Sequence, residues 1–329
     1  MPLAEPSTLN WFMLCITHDI NDPYFNIASE EYLLKNFSDD IFMLYRNEPS
    51  IIVGKHQNTF AEINYWYIQE KKIKVVRRLS GGGTVFHDPG NLNFCFIHNG
   101  QEGSLVDFHK FTDPILEVLH KMGVPAERSG RNDLIINSLK FSGNAEHIYK
   151  SRTLHHGTLL FSSQLDKLHE ALKVNSQKYQ DKSVKSIPSE VTNIIDYLPT
   201  NITIENFQNR LIQHILEKFP EAKEYSFTQN DKGSIFQLVN NKYSTWDWNF
   251  GYSPKCTFIN NGNIDGNIID IKLEIDKGVI KEADIQVNSK TQTEASKILK
   301  GTMYKDDIIR EKLQQLKMIN TNLWLPLFF

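Results

Sequence analysis

Arg77-Arg78-Leu79-Ser80-Gly81-Gly82-Gly83-Thr84-Val85-Phe86-His87-Asp88 is the stretch on which the reading of this 329-residue chain turns. A run rich in β-branched residues, Ile73 to Arg78, enters three glycines, and a second strand leaves them. Such a loop lets backbone N–H groups approach an anion closely. It has neither the Gly-Lys-Ser/Thr ending of a phosphate-binding loop at a helix start nor a following G-x-G-x-x-G spacing, so it supports neither a nucleoside-triphosphatase nor a dinucleotide fold. A glycine-rich hairpin turn is the plain alternative. Arg77 and Arg78 before the glycines and His87-Asp88 after them add cations, donors and a titratable imidazole, which favours an anion-binding loop.

Strands and helices mix on both sides of this stretch. Asp22-Pro23 predicts a capped helix with proline at its first position, its acidic pair Glu30-Glu31 on the surface. Ile41 to Arg46 and Ser50 to Gly54 read as strands and Ala61 to Lys71 as a helix. Asn91 to His98 is a strand after the Asp88-Pro89-Gly90 turn, and Pro114 to Met122 a helix closed by Gly123. Leu134 to Asn137, Lys140 to Ser142 and Leu154 to Ser162 read as further strands. Lys173 to Ser189, polar and lysine-bearing, reads as a long mobile loop. Thr203 caps an amphipathic helix carrying Ile204, Phe207, Leu211, Ile215 and Leu216 on one face. Two alternating strands between Asn267 and Asn288 flank the hairpin signal Asp276-Lys277-Gly278, and a helix spans Asp306 to Met318.

Two further clusters carry chemistry. Ser129-Gly130-Arg131-Asn132-Asp133 precedes Lys140-Phe141-Ser142-Gly143-Asn144-Ala145, with a turn at Asn137-Ser138 between them. Lys140 is placed to enter a pocket and neutralise a carboxylate or phosphate, although most lysines are solvated. His155-His156-Gly157-Thr158 opens a strand, where adjacent side chains point to opposite faces, so at most one of these histidines faces a site.

Composition bounds the rest. With 40% hydrophobic and 23% charged residues the chain can bury a full core, and its length suggests a large domain and a smaller one. A formal net charge of −3 gives no overall reason to expect a nucleic-acid partner. The three cysteines, Cys15, Cys95 and Cys256, have no paired spacing, which fits a reducing compartment, the cytoplasm. No apolar run is long enough to span a bilayer, and no targeting signal is evident.

Together the three segments resemble the lipoate-protein ligase family, over nearly the whole chain from Asp22-Pro23 to Trp246-Asp247-Trp248-Asn249-Phe250-Gly251. The resemblance implies an α/β (α+β) fold: a mixed β-sheet catalytic domain of the biotin/lipoate-ligase kind with a small C-terminal α+β accessory domain. Residues 1–12 would form an N-terminal extension, 13–250 the catalytic domain and 251–329 the accessory domain. It further implies ATP-dependent activation of lipoate to lipoyl-AMP and transfer to a carrier lysine. Lys140 is then the catalytic residue, contacting acyl carboxyl and phosphate. Arg78, Gly83, Thr84, Val85, Phe86, Asn132 and Asp133 would line the ATP or lipoyl-AMP site, and Ser80, Gly81, Gly82, His87, Ser142, His156 and Thr158 the lipoate site. Mg2+ is expected with ATP, Asp133 its candidate ligand. The implied partners are lipoyl domains of 2-oxoacid dehydrogenase E2 subunits and the glycine cleavage H protein, with no nucleic acid or membrane.

Two departures and three rivals stand beside this. In the place of the family's adenylate-binding loop, residues 173–194, the chain reads Asp181-Lys182-Ser183 and Ser186-Ile187-Pro188-Ser189-Glu190-Val191. A glycine and an arginine of the bacterial pattern are missing, and the Ser-Ile-Pro form looks like transferases that accept ready-made lipoyl-AMP. A cysteine-dependent octanoyl or lipoyl transferase would need a nucleophilic thiol, yet Lys140 to Thr200 holds none and Cys95 sits mid-strand between phenylalanines. A non-catalytic lipoate-binding protein is the second rival. A biotin ligase would carry a Gly-Arg-Gly-Arg type loop, which is absent.

Overall fold

The computed structural model describes residues 12–100, 108–130, 132–172, 176–316 and 320–329. Its strands are β1 (Met13–Thr17), β2 (Asp40–Arg46), β3 (Ser50–Val53), β4 (Lys74–Arg77), β5 (Val85–His87), β6 (Asn91–Asn99), β7 (Ala126–Ser129) and β8 (Asp133–Ile136). They continue as β9 (Leu139–Tyr149), β10 (Arg152–Leu160), β11 (Tyr179–Asp181), β12 (Ala222–Tyr225), β13 (Cys256–Ile264), β14 (Asn267–Asp276), β15 (Val279–Val287) and β16 (Lys290–Thr291). The helices used below are α1 (Pro23–Asn36), α2 (Tyr65–Lys71), α3 (Phe108–Lys121), α4 (Leu165–Ala171) and α5 (Ile204–Lys218). The chain folds into two compact units, the first Met1–Glu48, His87–Leu165 and Ser189–Leu238, the second Pro49–Phe86, Asp166–Pro188 and Val239–Phe329.

In the first unit an eight-stranded mixed sheet runs β12-β1-β2-β6-β10-β9-β8-β7. β1 lies parallel to β2 and β12, and the remaining pairs are antiparallel. Phe42, Phe94, Phe141 and Phe161 pack with Ile115 and Leu119 of α3 and Phe207, Leu211 and Ile215 of α5, so the amphipathic face read from Thr203 onward is buried in this core. α1 begins where Asp22 Oδ1 accepts the N–H groups of Tyr24 and Phe25, with Pro23 at the first position. Its acidic pair is not on the surface: Glu30 and Glu31 are buried. Glu30 accepts from Tyr45 Oη at 2.9 Å and shares a 2.8 Å hydrogen bond with His156, partners that satisfy a carboxylate inside the protein. α3 starts ahead of its expected first residue and carries Pro114 inside it. Burial of Phe111 and Thr112 holds the turn that proline disfavours.

The second unit holds a three-stranded sheet, β4-β3-β5, and a five-stranded antiparallel one, β11-β13-β14-β15-β16. Phe60, Phe258, Ile271, Leu273, Tyr304, Phe328 and Phe329 share its core. The helix expected over Ala61 to Lys71 is shorter: a 3₁₀ turn, Thr59–Ala61, precedes α2, whose N-cap is Asn64. The β14–β15 hairpin turns at Lys277 and Gly278, both with positive φ, as its sequence signal requires. Residues 173–175 of the expected mobile loop lie outside the described residues. The rest is not free: Ser176–Lys178 forms a 3₁₀ turn, and β11 pairs with β13. No helix among the described residues is long and apolar enough to cross a membrane.

Candidate active site

The glycine loop of the second unit is built from the arginines before it. Arg77, fully buried, donates from Nη1 to the carbonyls of Gly54, Lys55 and Gln57. Its Nη2 reaches Thr59 Oγ1, the Asn249 carbonyl and Ser253 Oγ, and Nε the Trp248 carbonyl. Burial among these neutral acceptors pulls its pKa down to about 10, so it remains a cation at neutral pH. Arg78 donates to Ser80 Oγ and to the carbonyls of Ile52, Gly81 and Gly83. The guanidinium groups shape the loop from behind. Gly82 takes φ +87°, and its carbonyl lies 2.1 Å from where a Cβ on Gly54 would stand, so the strand end at Gly54 can only be glycine. Phe86 packs into the core and Thr84 is buried, leaving Gly81 to Gly83 as the accessible part.

Two residues without a sequence signal, Gln57 and Glu62, meet Ser186 of the expected adenylate-binding segment beside this loop. Gln57 Oε1 accepts from the Gly54 N–H at 2.9 Å and from Thr84 Oγ1 at 2.9 Å, and its Nε2 donates to Ser186 Oγ at 3.1 Å. Ser186 Oγ also accepts the Thr84 N–H at 2.9 Å and donates to Glu62 Oε2, which receives the Ser186 N–H at 3.3 Å. Burial raises the Glu62 carboxyl above its ordinary range, outweighing the hydrogen bonds from Ser186. Nothing local marks Gln57 or Glu62, whose shared partner Ser186 is remote in sequence.

The first unit holds a cluster of its own. Lys140 is fixed by its backbone: its N–H donates to the Glu190 carbonyl at 2.9 Å and its carbonyl accepts from the Thr192 N–H at 3.0 Å. Asn137 and Ser138, both with positive φ, close the β8–β9 hairpin before it, and a register shift at Leu134/Ile135 leaves Phe141 as the extra residue, directed into the core. The Lys140 side chain lies over Gly143, with Nζ 3.2 Å from where a Cβ would stand and 2.9 Å from Asp133 Oδ1. Thr158 Oγ1 accepts the Gly143 N–H at 3.2 Å. His156, two residues before Thr158 on β10, points to the same face and meets Glu30. His155 points the other way, to Phe94 and Phe111, and shares hydrogen bonds with Glu146 and Asn144.

Lys140, Asp133, Thr158 and His156 are therefore brought to one region of the first unit. Asn132 and Asn144 clasp each other's backbone carbonyls at 3.0 Å, and Ser142 is buried, accepting from Asn144 Nδ2 at 3.2 Å. His87, also buried, shares a 2.9 Å hydrogen bond with Asn47 Nδ2. Asp133 offers a single carboxylate already paired with a cation, and no group of three or more His, Cys, Asp or Glu side chains able to hold a metal occurs among the described residues. A lone carboxylate of this kind suits Mg2+ that arrives with a nucleotide's phosphates and waters. All three thiols are buried: Cys15 and Cys256 are pushed up to about 12 by burial, and Cys95 is pushed well above its ordinary value, so none is a thiolate at neutral pH.

Residues 22–216 match the family described as lipoyl protein ligase A/B catalytic domain. This chain belongs to that family. Within it, the chain is 42% identical over 303 residues to the lipoate-protein ligase LplJ of Bacillus subtilis, covering 90% of this chain and 92% of the relative. It is 44% identical over 270 residues to lipoate–protein ligase 1 of Staphylococcus aureus, covering 82% of each. Among solved structures, that of Plasmodium falciparum LipL1 in complex with lipoate aligns with a TM-score of 0.63 and 26% identity, covering 95% of this chain and 97% of the other. The mixed α/β fold expected from the sequence is thus the fold of the lipoyl ligase family.

Proposed function

We propose that this enzyme is a lipoate-protein ligase: it activates lipoate with ATP to lipoyl-AMP and pyrophosphate, then transfers the lipoyl group to a lysine of a carrier domain. The carriers are lipoyl domains of 2-oxoacid dehydrogenase E2 subunits and the glycine cleavage H protein, met in the cytoplasm. Residues 13–250 carry the catalysis and 251–329 the accessory role. The observation that carries the reading is Lys140, a cation fixed through both backbone groups, lying over a glycine and held by one exchangeable carboxylate.

Lys140 Nζ leaves Asp133 for the lipoate carboxylate and the α-phosphate. There it neutralises the charge that builds as the carboxylate oxygen attacks phosphorus, and again as the carrier amine attacks the acyl carbon and AMP leaves. Preorganised donors at developing charge contribute about 10²- to 10³-fold. The amide groups of the glycine loop, with Thr84, receive phosphate oxygens, and Arg78 and Ser80 hold that loop in shape. His156 and Thr158 line the lipoate site. Mg2+ bound with ATP would be held by Asp133 and the phosphates and would offset phosphate charge. The carrier amine must arrive deprotonated. With a pKa near 10.4 this asks about 4 to 5 kcal/mol of the site at pH 7.

Buried, protonated thiols speak against an acyl-cysteine transferase. The test is mass spectrometry of an apo lipoyl domain incubated with the protein, lipoate and Mg2+, with and without ATP, beside a run supplied with lipoyl-AMP. ATP-dependent modification is expected. Modification from lipoyl-AMP alone would make the protein a transferase, and none from either would end the proposal.

A further inference from the structure

The fastening of Ser186 onto the glycine loop is more than packing. Ser186 Oγ accepts the Thr84 N–H at 2.9 Å, the kind of bond an anion's oxygen would take from the same amide. It is held there by Gln57 Nε2 at 3.1 Å and by its own donation to the buried Glu62 carboxyl. Gly83 has no side chain, and a Cβ there would lie 3.1 Å from Ser186 Oγ, so any other residue at 83 would press on this contact. At the other end of the segment, Asp181 accepts from the Ser183 N–H and hydroxyl, Lys185 Nζ and Asn58 Nδ2, so residues 181–186 are tied at both ends. Val184 and Ile187 are left exposed, Ile187 at 86%.

We propose that Ser186 is a latch: its hydroxyl occupies the Thr84 amide in the unliganded protein, and a phosphate must displace it, releasing residues 182–188 from the glycine loop. This rests on reading that loop as the nucleotide site. A neutral hydroxyl acceptor is weaker than a phosphate oxygen, whose charge-assisted bond to an amide is roughly twice as strong, so the exchange runs toward the ligand. Glu62 opposes it, because its carboxyl sits one hydrogen bond behind the position the phosphate takes. Apparent affinity is lowered by the fraction of molecules held latched.

Titration calorimetry with a non-hydrolysable ATP analogue, on wild type, Ser186→Ala, Glu62→Gln and Gly82→Val, separates the latch from the reading beneath it. Ser186→Ala is expected to bind the analogue about 3- to 10-fold more tightly, and Glu62→Gln by a smaller factor. Hydrogen exchange of residues 182–188 should quicken in unliganded Ser186→Ala and in analogue-bound wild type. Unchanged or weaker binding by Ser186→Ala while Gly82→Val, its fold checked by circular dichroism, loses binding overturns the latch alone. Wild-type affinity in folded Gly82→Val overturns the nucleotide reading of the loop, and the latch with it.

Discussion

Lys140 owes its position to what is missing beside it. Gly143 leaves the space over which the ammonium lies, and any side chain there meets Cε at 3.1 Å and Nζ at 3.2 Å. The far end of a lysine moves aside cheaply, so Gly143→Ala should leave the thermal midpoint within a few degrees of wild type. Displacing a catalytic group by about 1 Å can cost on the order of 100-fold, and adenylation should fall about 10- to 100-fold. Pyrophosphate release beside a thermal melt checks both halves; unaltered turnover would show that Lys140 works from another position. Lys140→Ala should remove adenylation down to the contribution of binding alone, a loss of about 10²- to 10³-fold in the same assay. The lysine was legible in the sequence through its Lys-Phe-Ser-Gly setting. Glu30 was not: its pairing with His156 spans 126 residues, and a Glu-Glu pair in a helix looks like solvated surface until the sheet that covers it is known.

At the scale of elements, the sequence was readable wherever the local rule and the tertiary one agree. Asp22-Pro23 caps α1, Asn137-Ser138 turns β8 into β9, and Lys277-Gly278 turns β14 into β15. It was not readable where packing overrides the local rule, as in the start of α3 ahead of Pro114, or where distant partners tie a polar stretch, as Asp181 and Ser186 do. The β15–β16 hairpin, like the β8–β9 one at Ser138, keeps a residue its turn does not favour. Asn288 and Ser289 join β15 to β16 with φ of +49° and +63°, and serine in the left-handed region is strained where glycine is not. Ser289→Gly should therefore stabilise the protein by about 0.5 kcal/mol, the relief of strain exceeding the entropy that glycine loses on folding. A rise in the urea midpoint at constant slope is the expected reading, and a fall would mean the Ser289 side chain contributes more than its strain.

For the whole molecule the same physics sets an acid limit. His18 packs against Phe25 and Phe227 with both ring nitrogens buried. Burial, only partly opposed by Asp19 and by a hydrogen bond to the Ile20 backbone and helped by Lys232, lowers its pKa to about 4. Because the folded value lies below the unfolded one near 6.5, the unfolded chain binds the extra proton between those pH values. Stability is then intact above about pH 6.5 and falls as pH drops toward 4, by about 3 kcal/mol from this residue. Asp40, Asp181 and Asp231 are held below the ordinary carboxylate range by their hydrogen bonds despite burial, and they add losses at lower pH. Glu62, raised by burial, works in the opposite sense, gaining its proton more readily in the folded protein. The difference between wild type and His18→Phe cancels these carboxylates and isolates the imidazole. Urea unfolding of both at pH 7 and pH 4 should show wild type losing about 3 kcal/mol more than the variant between the two conditions. Parallel losses would mean that the imidazole takes up its proton without leaving the folded state, through a partner gained on protonation.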